Sequence, residues 1–218
     1  MNSPVSTPSV SECAPQSMSQ AIRDQRRDRI VQVARDVFFE EGFNAATMST
    51  IAARLGGSKA TLYAYFKNKE DLFDAIIADQ CQVIEKLLML EEEGADIRTT
   101  LIDLGREMVT AMSSDQSVRT MQLIIEESRR NPELARRFDE AGPQVGTERL
   151  AAYLAKAHAR GEISAPDPVH AAGVLAILLK GELFFRRVLG LEPEPTPERI
   201  ETEVQSAVTN FLTAYAPK

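Results

Sequence analysis

A helical period in the apolar residues runs through most of the chain and constrains the fold more than any other feature. In the first clear instance, apolar residues recur at intervals of three and four and mark one face of a helix: Ile30, Val33, Ala34, Val37 and Phe38. Gly42 follows where a helix often ends in a left-handed residue. No segment alternates with the period of two that is typical of a half-buried strand. The sequence therefore predicts an all-α protein.

Capping residues divide this pattern into about nine helices. Thr47, Ser58 and Asn68 stand before the second, third and fourth helices, where a short polar side chain can accept a hydrogen bond from a first-turn amide. Three later helices are predicted to start at a proline that follows a capping residue: Asn131-Pro132, Asp167-Pro168 and Thr196-Pro197. Pro143 should kink or break the helix that begins at Pro132.

Composition and charge divide the chain into a tail, a head and a body. Residues 1–19 are rich in Ser, Pro and Thr and have few large apolar side chains, so we expect a disordered tail. Residues 20–67 form a predicted three-helix head, and residues 68–218 form a larger helical domain. The head has more basic than acidic residues, although the whole chain has a formal net charge of −7. Such asymmetry is typical of a protein whose head alone meets phosphate.

The remaining composition argues against several other classes of protein. The longest apolar run, Ala171–Leu179, is far shorter than the roughly 20 residues that cross a bilayer, so no membrane partner is expected. Two cysteines and no recognisable signal peptide indicate a cytoplasmic protein. His158 and His170 are isolated, so we expect no metal site. No nucleophile or nucleotide-binding motif occurs, which predicts neither an enzyme nor a cofactor.

Two short predicted helices around Gly56-Gly57 have the size of a helix-turn-helix motif. In such a motif the second helix presents its N-terminus and one polar face to the major groove, while its other face packs inward. Leu62 and Phe66 supply the inward face. The outward face is left with small or hydrogen-bonding residues: Ser58, Lys59, Ala60, Thr61 and Tyr63. Core packing for the tyrosine and simple solvation for the lysine are the alternatives.

The run GFNAATMSTIAARLGGSKATLYAYFKNKEDLF, from Gly42 to Phe73, closely resembles the DNA-binding segment of the TetR family of repressors. The resemblance implies that Thr47 holds a phosphate through its hydroxyl and the amides of its helix. It also implies that the five outward residues face the major groove, and that Tyr65 and Lys69 contact backbone phosphate. The rest of the chain resembles the family in the number and layout of its helices.

The last two predicted helices are candidates for a dimer interface. The helix that starts at Pro168 is apolar nearly all round and must be buried on more than one side. The final helix has a pattern close to a heptad seam. The family resemblance favours a four-helix bundle formed with a second copy, through Leu175, Leu179, Phe184, Val188, Val204, Val208, Phe211 and Leu212. The alternative is that these residues complete the core of one protomer.

The resemblance also implies a ligand cavity among the central helices. Its predicted lining is apolar and includes adaptable methionines: Met108, Met112, Met121, Ile124, Ile125, Leu178 and Phe185. Ordinary core packing is the alternative for each of these residues.

The predicted function is a ligand-responsive transcriptional repressor. Its partners would be a double-stranded palindromic operator, a second copy of the chain in a homodimer, and a small, mostly apolar inducer that releases the DNA. One alternative is an activator or architectural DNA-binding protein of the same fold without an inducer. The other is a helical small-molecule or lipid carrier, or an enzyme, whose basic head is incidental.

Overall fold

The computed structural model describes residues 14–88 and 96–217, with side chains described for residues 20–79 and 96–217. Ten helices and no strand lie in these ranges, which confirms the predicted all-α fold. The helices are α1 (Ala14–Glu41), α2 (Met48–Leu55), α3 (Lys59–Tyr63), α4 (Lys69–Leu88), α5 (Ile97–Ser113), α6 (Asp115–Ser128), α7 (Pro132–Ala141), α8 (Pro143–Ala159), α9 (Pro168–Val188) and α10 (Pro197–Ala214). The predicted tail lies outside the described residues as far as residue 13, and α1 begins at Ala14.

The predicted caps of the head form as expected. The side chain of Thr47 accepts a hydrogen bond from the amide of Thr50 at 3.1 Å. Ser58 accepts one from the amide of Thr61 at 3.2 Å, and Asn68 accepts one from the amide of Asp71 at 2.7 Å. Each bond satisfies an amide that has no partner within its own helix, so the starts of α2, α3 and α4 are fixed by local sequence.

The later helices follow the predicted proline starts with one difference. Asp167 and Thr196 cap α9 and α10 through their side chains, whereas Asn131 makes no such bond before α7. The helical conformation is interrupted at Gly142, and Pro143 begins α8. This break divides one predicted helix into two, and it raises the number from about nine to ten in the described ranges.

The buried side chains form two clusters. The first cluster joins α1, α2, α3 and α4, and it also takes in Leu123 and Ile124 from α6 and Leu134 from α7. Phe43 lies at its centre, with ring centroids 5.1 Å from Phe38 and 5.5 Å from Phe73. The second cluster joins α5, α8, α9 and α10. The head therefore completes its core with side chains from the body.

Helix α9 passes through the middle of the body. By length and composition it is the one helix among the described residues that could cross a membrane. Its inner face, however, packs on α5, α8 and α10. Gly181 interrupts the helix with φ 51° and ψ −163°, a conformation that only glycine adopts readily. These features are those of an interrupted core helix with one open face.

Two glycines that end helices allow a matched stability test. Gly42 and Gly56 have φ values of 78° and 67°, which an alanine adopts at a cost of about 1–2 kcal/mol. A Cβ at Gly56 would meet no atom within 4 Å, but one at Gly42 would lie 3.0 Å from Glu127 Oε1. We predict that Gly56→Ala lowers the free energy of unfolding by about 1 kcal/mol and Gly42→Ala by more. Urea denaturation at one protein concentration measures both, and an equal or smaller loss for Gly42→Ala would contradict this packing.

Candidate DNA-binding site and ligand cavity

Helices α2 and α3 form a helix-turn-helix whose turn is set by glycine. Gly56 closes α2 by donating its backbone N–H to the carbonyl of Ala53 at 3.1 Å. Ser58 then starts α3 two residues later. Arg54 at the end of α2 binds Glu40 of α1 at 2.7 Å, and this hydrogen bond lowers the pKa of the Glu40 carboxyl from its usual value. The turn is therefore short, and α2 is tied to the helix behind it.

Helix α3 packs on one face and is open on the other. Leu62 and Phe66 are buried, and they attach α3 and the residues after it to the head core. Ser58, Lys59 and Ala60 are exposed, as is Tyr63, which keeps 51% of its surface accessible. The structure thus brings the predicted groove-facing residues onto one accessible surface, except that Thr61 is half-buried.

The predicted phosphate-contacting residues fall into three different environments. Thr47 is exposed at the N-terminus of α2, where its hydroxyl also lies 2.9 Å from that of Thr50. Tyr65 is half-buried against the head core. Lys67, a basic residue of the head that was not among the predicted phosphate contacts, is exposed and forms no ion pair with any described residue.

Lys69 has a structural role that the sequence did not reveal. Its ammonium donates hydrogen bonds to the carbonyls of Phe43, Asn44 and Ala46 at 2.8, 3.1 and 3.2 Å. The same group lies 4.6 Å from the centroid of the Phe43 ring. An ammonium has three protons, and all three are used inside the head. A direct phosphate contact by Lys69 stays a prediction, and it would require one of these bonds to open.

Helix α6 holds the head through polar contacts that were also missed. Asn44, between α1 and α2, donates a hydrogen bond to Glu127 Oε2. Arg35 of α1 donates to Gln116 Oε1 at 2.6 Å. Two adjacent acids such as Glu126-Glu127 are usually solvated, but Glu127 is only 6% exposed. The signal was its helical spacing from Leu123 and Ile124, which places it on the buried face of α6.

A cavity of about 150 Å³ lies in the body, with walls from α4, α5, α6, α7, α8 and α9. Met108, Met112 and Met121 line it, as predicted from the sequence. Ile77 of α4 and Phe138 of α7 line it as well, and both also pack in the head core. The cavity and the head core therefore share side chains.

Four other predicted lining residues lie elsewhere. Ile124 points into the head core, because α6 turns this face toward α1 and α4. Ile125 and Phe185 are 57% and 65% exposed, on the outer faces of α6 and α9. Leu178 is half-buried against the body core and does not reach the cavity. Apolar character alone did not distinguish a cavity wall from an outer surface.

The predicted dimer residues also need correction. Five of them are buried within one protomer, because α9 and α10 pack on each other and on α5: Leu175, Leu179, Val204, Val208 and Phe211. Phe184 lines the cavity. Val188 and Leu212 are half-buried. For the five buried residues the structure therefore supports the alternative, in which they complete the core of one protomer.

The apolar side chains that α9 leaves accessible are different ones. Ile177 is 69% exposed, Phe185 65% and Leu189 58%. Phe185 and Leu189 are four residues apart and share one side of the last turns, whereas Ile177 lies before the break at Gly181, so spacing alone does not place it on the same side. We call these three exposed apolar residues the α9 strip; accessible apolar side chains of this kind on a folded protomer are typical of an interaction surface.

Comparison with known protein families gives two matches on this chain. Residues 30–76 match the profile of bacterial regulatory proteins of the tetR family. Residues 99–217 match the profile of the AefR-like transcriptional repressor C-terminal domain. The two matches cover the head and most of the body.

Individual proteins agree with this classification. The chain is 31% identical to the HTH-type transcriptional regulator UidR of Escherichia coli K12 over 144 residues, which are 65% of this chain and 70% of UidR. Over 88 residues it is 30% identical to the transcriptional repressor BepR of Brucella suis, covering 40% of this chain and 42% of BepR.

Solved structures extend the likeness over nearly the whole fold. The flavonoid-responsive regulator FrrA is 36% identical with a TM-score of 0.74, over 89% of this chain and 99% of FrrA. A TetR-family regulator from Mesorhizobium loti is 27% identical with a TM-score of 0.76, over 88% of this chain and 98% of that one. These relatives are regulators and not enzymes. The chain belongs to the TetR family of bacterial transcriptional regulators.

Proposed function

We propose that this regulator is a cytoplasmic repressor that binds a palindromic operator as a homodimer and is released by a small, mostly apolar inducer. The observation that carries the proposal is the sharing of Ile77 and Phe138 between the cavity wall and the head core. A molecule in the cavity would press on side chains against which the DNA-binding head packs. Because protein interiors are close-packed, such a displacement is passed on to the head.

The head would bind DNA through the open face of α3. Ser58, Lys59, Ala60 and Tyr63 are accessible there, and Thr61 is partly so. The first turn of α2, capped by Thr47, would hold a phosphate with its amides and hydroxyl. Lys67 is an additional candidate for phosphate contact, because its charge is exposed and has no acidic partner among the described residues. Tyr65 and Lys69 would then act mainly by fixing the head, through packing and hydrogen bonds.

The homodimer would form through the accessible strip on α9. Ile177, Phe185 and Leu189 face outward, and burying them against a second copy would remove a large apolar surface from water. A two-fold axis would present the two α3 helices about one turn of DNA apart, which suits a palindrome. The half-buried Val188 and Leu212 stay candidates for the edges of this interface.

The inducer would act by shifting the protein from its operator-binding conformation to one that does not bind DNA. It must bind the DNA-incompetent state more tightly than the operator-bound state, since equal affinity for both would release nothing. The cavity of about 150 Å³ is the better ligand site, because the larger cleft of about 560 Å³ between α5 and the start of α10 shares no residue with the head core. Ligand response and repression are further supported by the names of FrrA and BepR.

Selection of operators from random DNA, followed by footprinting at two salt concentrations, tests the proposal. We expect one palindromic sequence to be enriched and protected, with an affinity that falls as salt rises, because phosphate contacts release counterions. Failure to enrich any sequence would contradict the proposed repressor.

Substitutions on α3 should weaken operator binding and leave the fold intact. We predict that Lys59→Ala and Tyr63→Ala each raise the operator Kd about tenfold or more, because a direct base or phosphate contact in a specific complex is worth roughly 1–3 kcal/mol. Both side chains are exposed, so helicity and oligomeric state should not change. Lys156→Ala, which removes an exposed charge from α8, is the control. Unchanged operator affinity in both α3 variants would contradict this surface.

A charge placed in the α9 strip should separate the protomers. We predict that Phe185→Glu shifts the protein from dimer to monomer in sedimentation analysis, because the carboxylate would be buried without a partner. Ile22→Glu is the matched control, since Ile22 is 59% exposed on α1 of the head, away from α9. A Phe185→Glu protein that stays dimeric at micromolar concentration would exclude this face.

A further inference from the structure

We infer that the cavity takes an amphipathic anion, a compact apolar molecule that carries one carboxylate. The carboxylate would lie between the ammonium of Lys180 on α9 and the first turn of α8. This inference rests on the proposed function, because it specifies the chemistry of the inducer.

Lys180 is the one charged side chain among the described residues that line the cavity. It is partly buried and makes no hydrogen bond or ion pair with any residue that the structure describes. The acid that follows Gly181, Glu182, lies 3.6 Å from Arg186 and is exposed. A cation in an apolar wall is costly unless an anion lies beside it, and none of the side chains in residues 20–79 and 96–217 supplies one. The missing counterion would come with the ligand.

The first turn of α8 adds a second group that favours an anion. Gly142, Pro143, Gly146 and Thr147 all line the cavity, so one side of the first two turns of α8 borders it. Gly142 at the N-cap position provides no side chain to accept from the first amides. Pro143 has no N–H and Gly146 donates to the carbonyl of Gly142, so the first-turn amides without a partner inside α8 are those of Gln144 and Val145. They carry the positive end of the helix dipole. A carboxylate satisfies such amides, as anions do at other helix N-termini.

The rest of the wall is mostly apolar and sets the size of the molecule. Leu104, Met112, Phe138 and Leu150 line the cavity together with other apolar residues and the hydroxyls of Ser117 and Thr147, and no acid lines it among the described residues. A cavity of about 150 Å³ has room for one aromatic ring or a short alkyl chain. The flexible methionines can adapt to either shape. A neutral ligand would leave Lys180 unpaired, and a dicarboxylate would place a second charge against apolar side chains.

Calorimetric titration with octanoate and octanamide tests the inference, because these probes share one alkyl chain and differ in charge. We expect the wild-type protein to bind octanoate at least about tenfold more tightly than octanamide. Lys180→Met keeps the length of the side chain and removes its charge, so it should bring that ratio close to one. Lys180→Arg should retain the preference, and Lys156→Met on the outside of α8 should not alter it.

The outcomes separate this inference from the proposed repressor. Operator binding is measured on the same preparations. A protein that binds its operator but binds octanamide as well as octanoate, or binds neither, overturns the carboxylate assignment and leaves the repressor in place. Retention of the preference in Lys180→Met overturns the role of Lys180. Failure to bind any operator contradicts the repressor, and the octanoate ratio still decides whether the cavity is an anion site.

Discussion

The packing of the head against α6 and α7 is the constraint on which the rest of the structure depends. Leu123, Ile124 and Leu134 come from α6 and α7, yet they are buried in the same cluster as Phe43 of the head and Phe73 of α4. Without them, the apolar faces of α1 and α4 would be open to water. The head is therefore not a separate unit joined to the body by α4 alone, and its position depends on α4, α6 and α7.

Polar contacts fix how the head is oriented relative to α6. Lys69 donates hydrogen bonds to the carbonyls of Phe43, Asn44 and Ala46, and so fixes the conformation of the segment that leads into α2. Asn44 then reaches across to the buried carboxylate of Glu127 on α6. Buried polar groups must find partners, so α6 and the start of the helix-turn-helix hold each other in one arrangement. In the proposed function, a shift of α6 at the cavity would reach the DNA-binding surface through this contact.

The sequence predicted the features that local chemistry decides. Thr47, Ser58 and Asn68 form caps with amides three residues away, so the helix starts of the head could be found without any knowledge of tertiary structure. The helix break at Gly142 and Pro143 could likewise be found from the local sequence, because a proline interrupts a helix. The exposed side of α3 followed from the helical period, because Leu62 and Phe66 define the opposite side.

The sequence could not predict what each buried face packs against. Val204 and Phe211 have the spacing of a dimer seam, but the same spacing also suits the core of one protomer, where the structure places them. Ile125 and Phe185 look like cavity residues by composition and lie on the outside. Glu127 and Lys69 act through partners far away along the chain, and a pattern of single residues does not reveal such pairs.

The central claim is that filling the cavity changes the head, and a substitution that fills it without any ligand tests this directly. Ala111 lines the cavity, whereas Ala152 is exposed on α8 and does not. The operator Kd of Ala111→Phe, compared with that of Ala152→Phe, is the measurement. The account predicts a rise of about tenfold for Ala111→Phe alone, with the dimer intact. An Ala111→Phe protein that binds operator as tightly as the wild type, with its ring seen in the cavity by crystallography, would contradict the account.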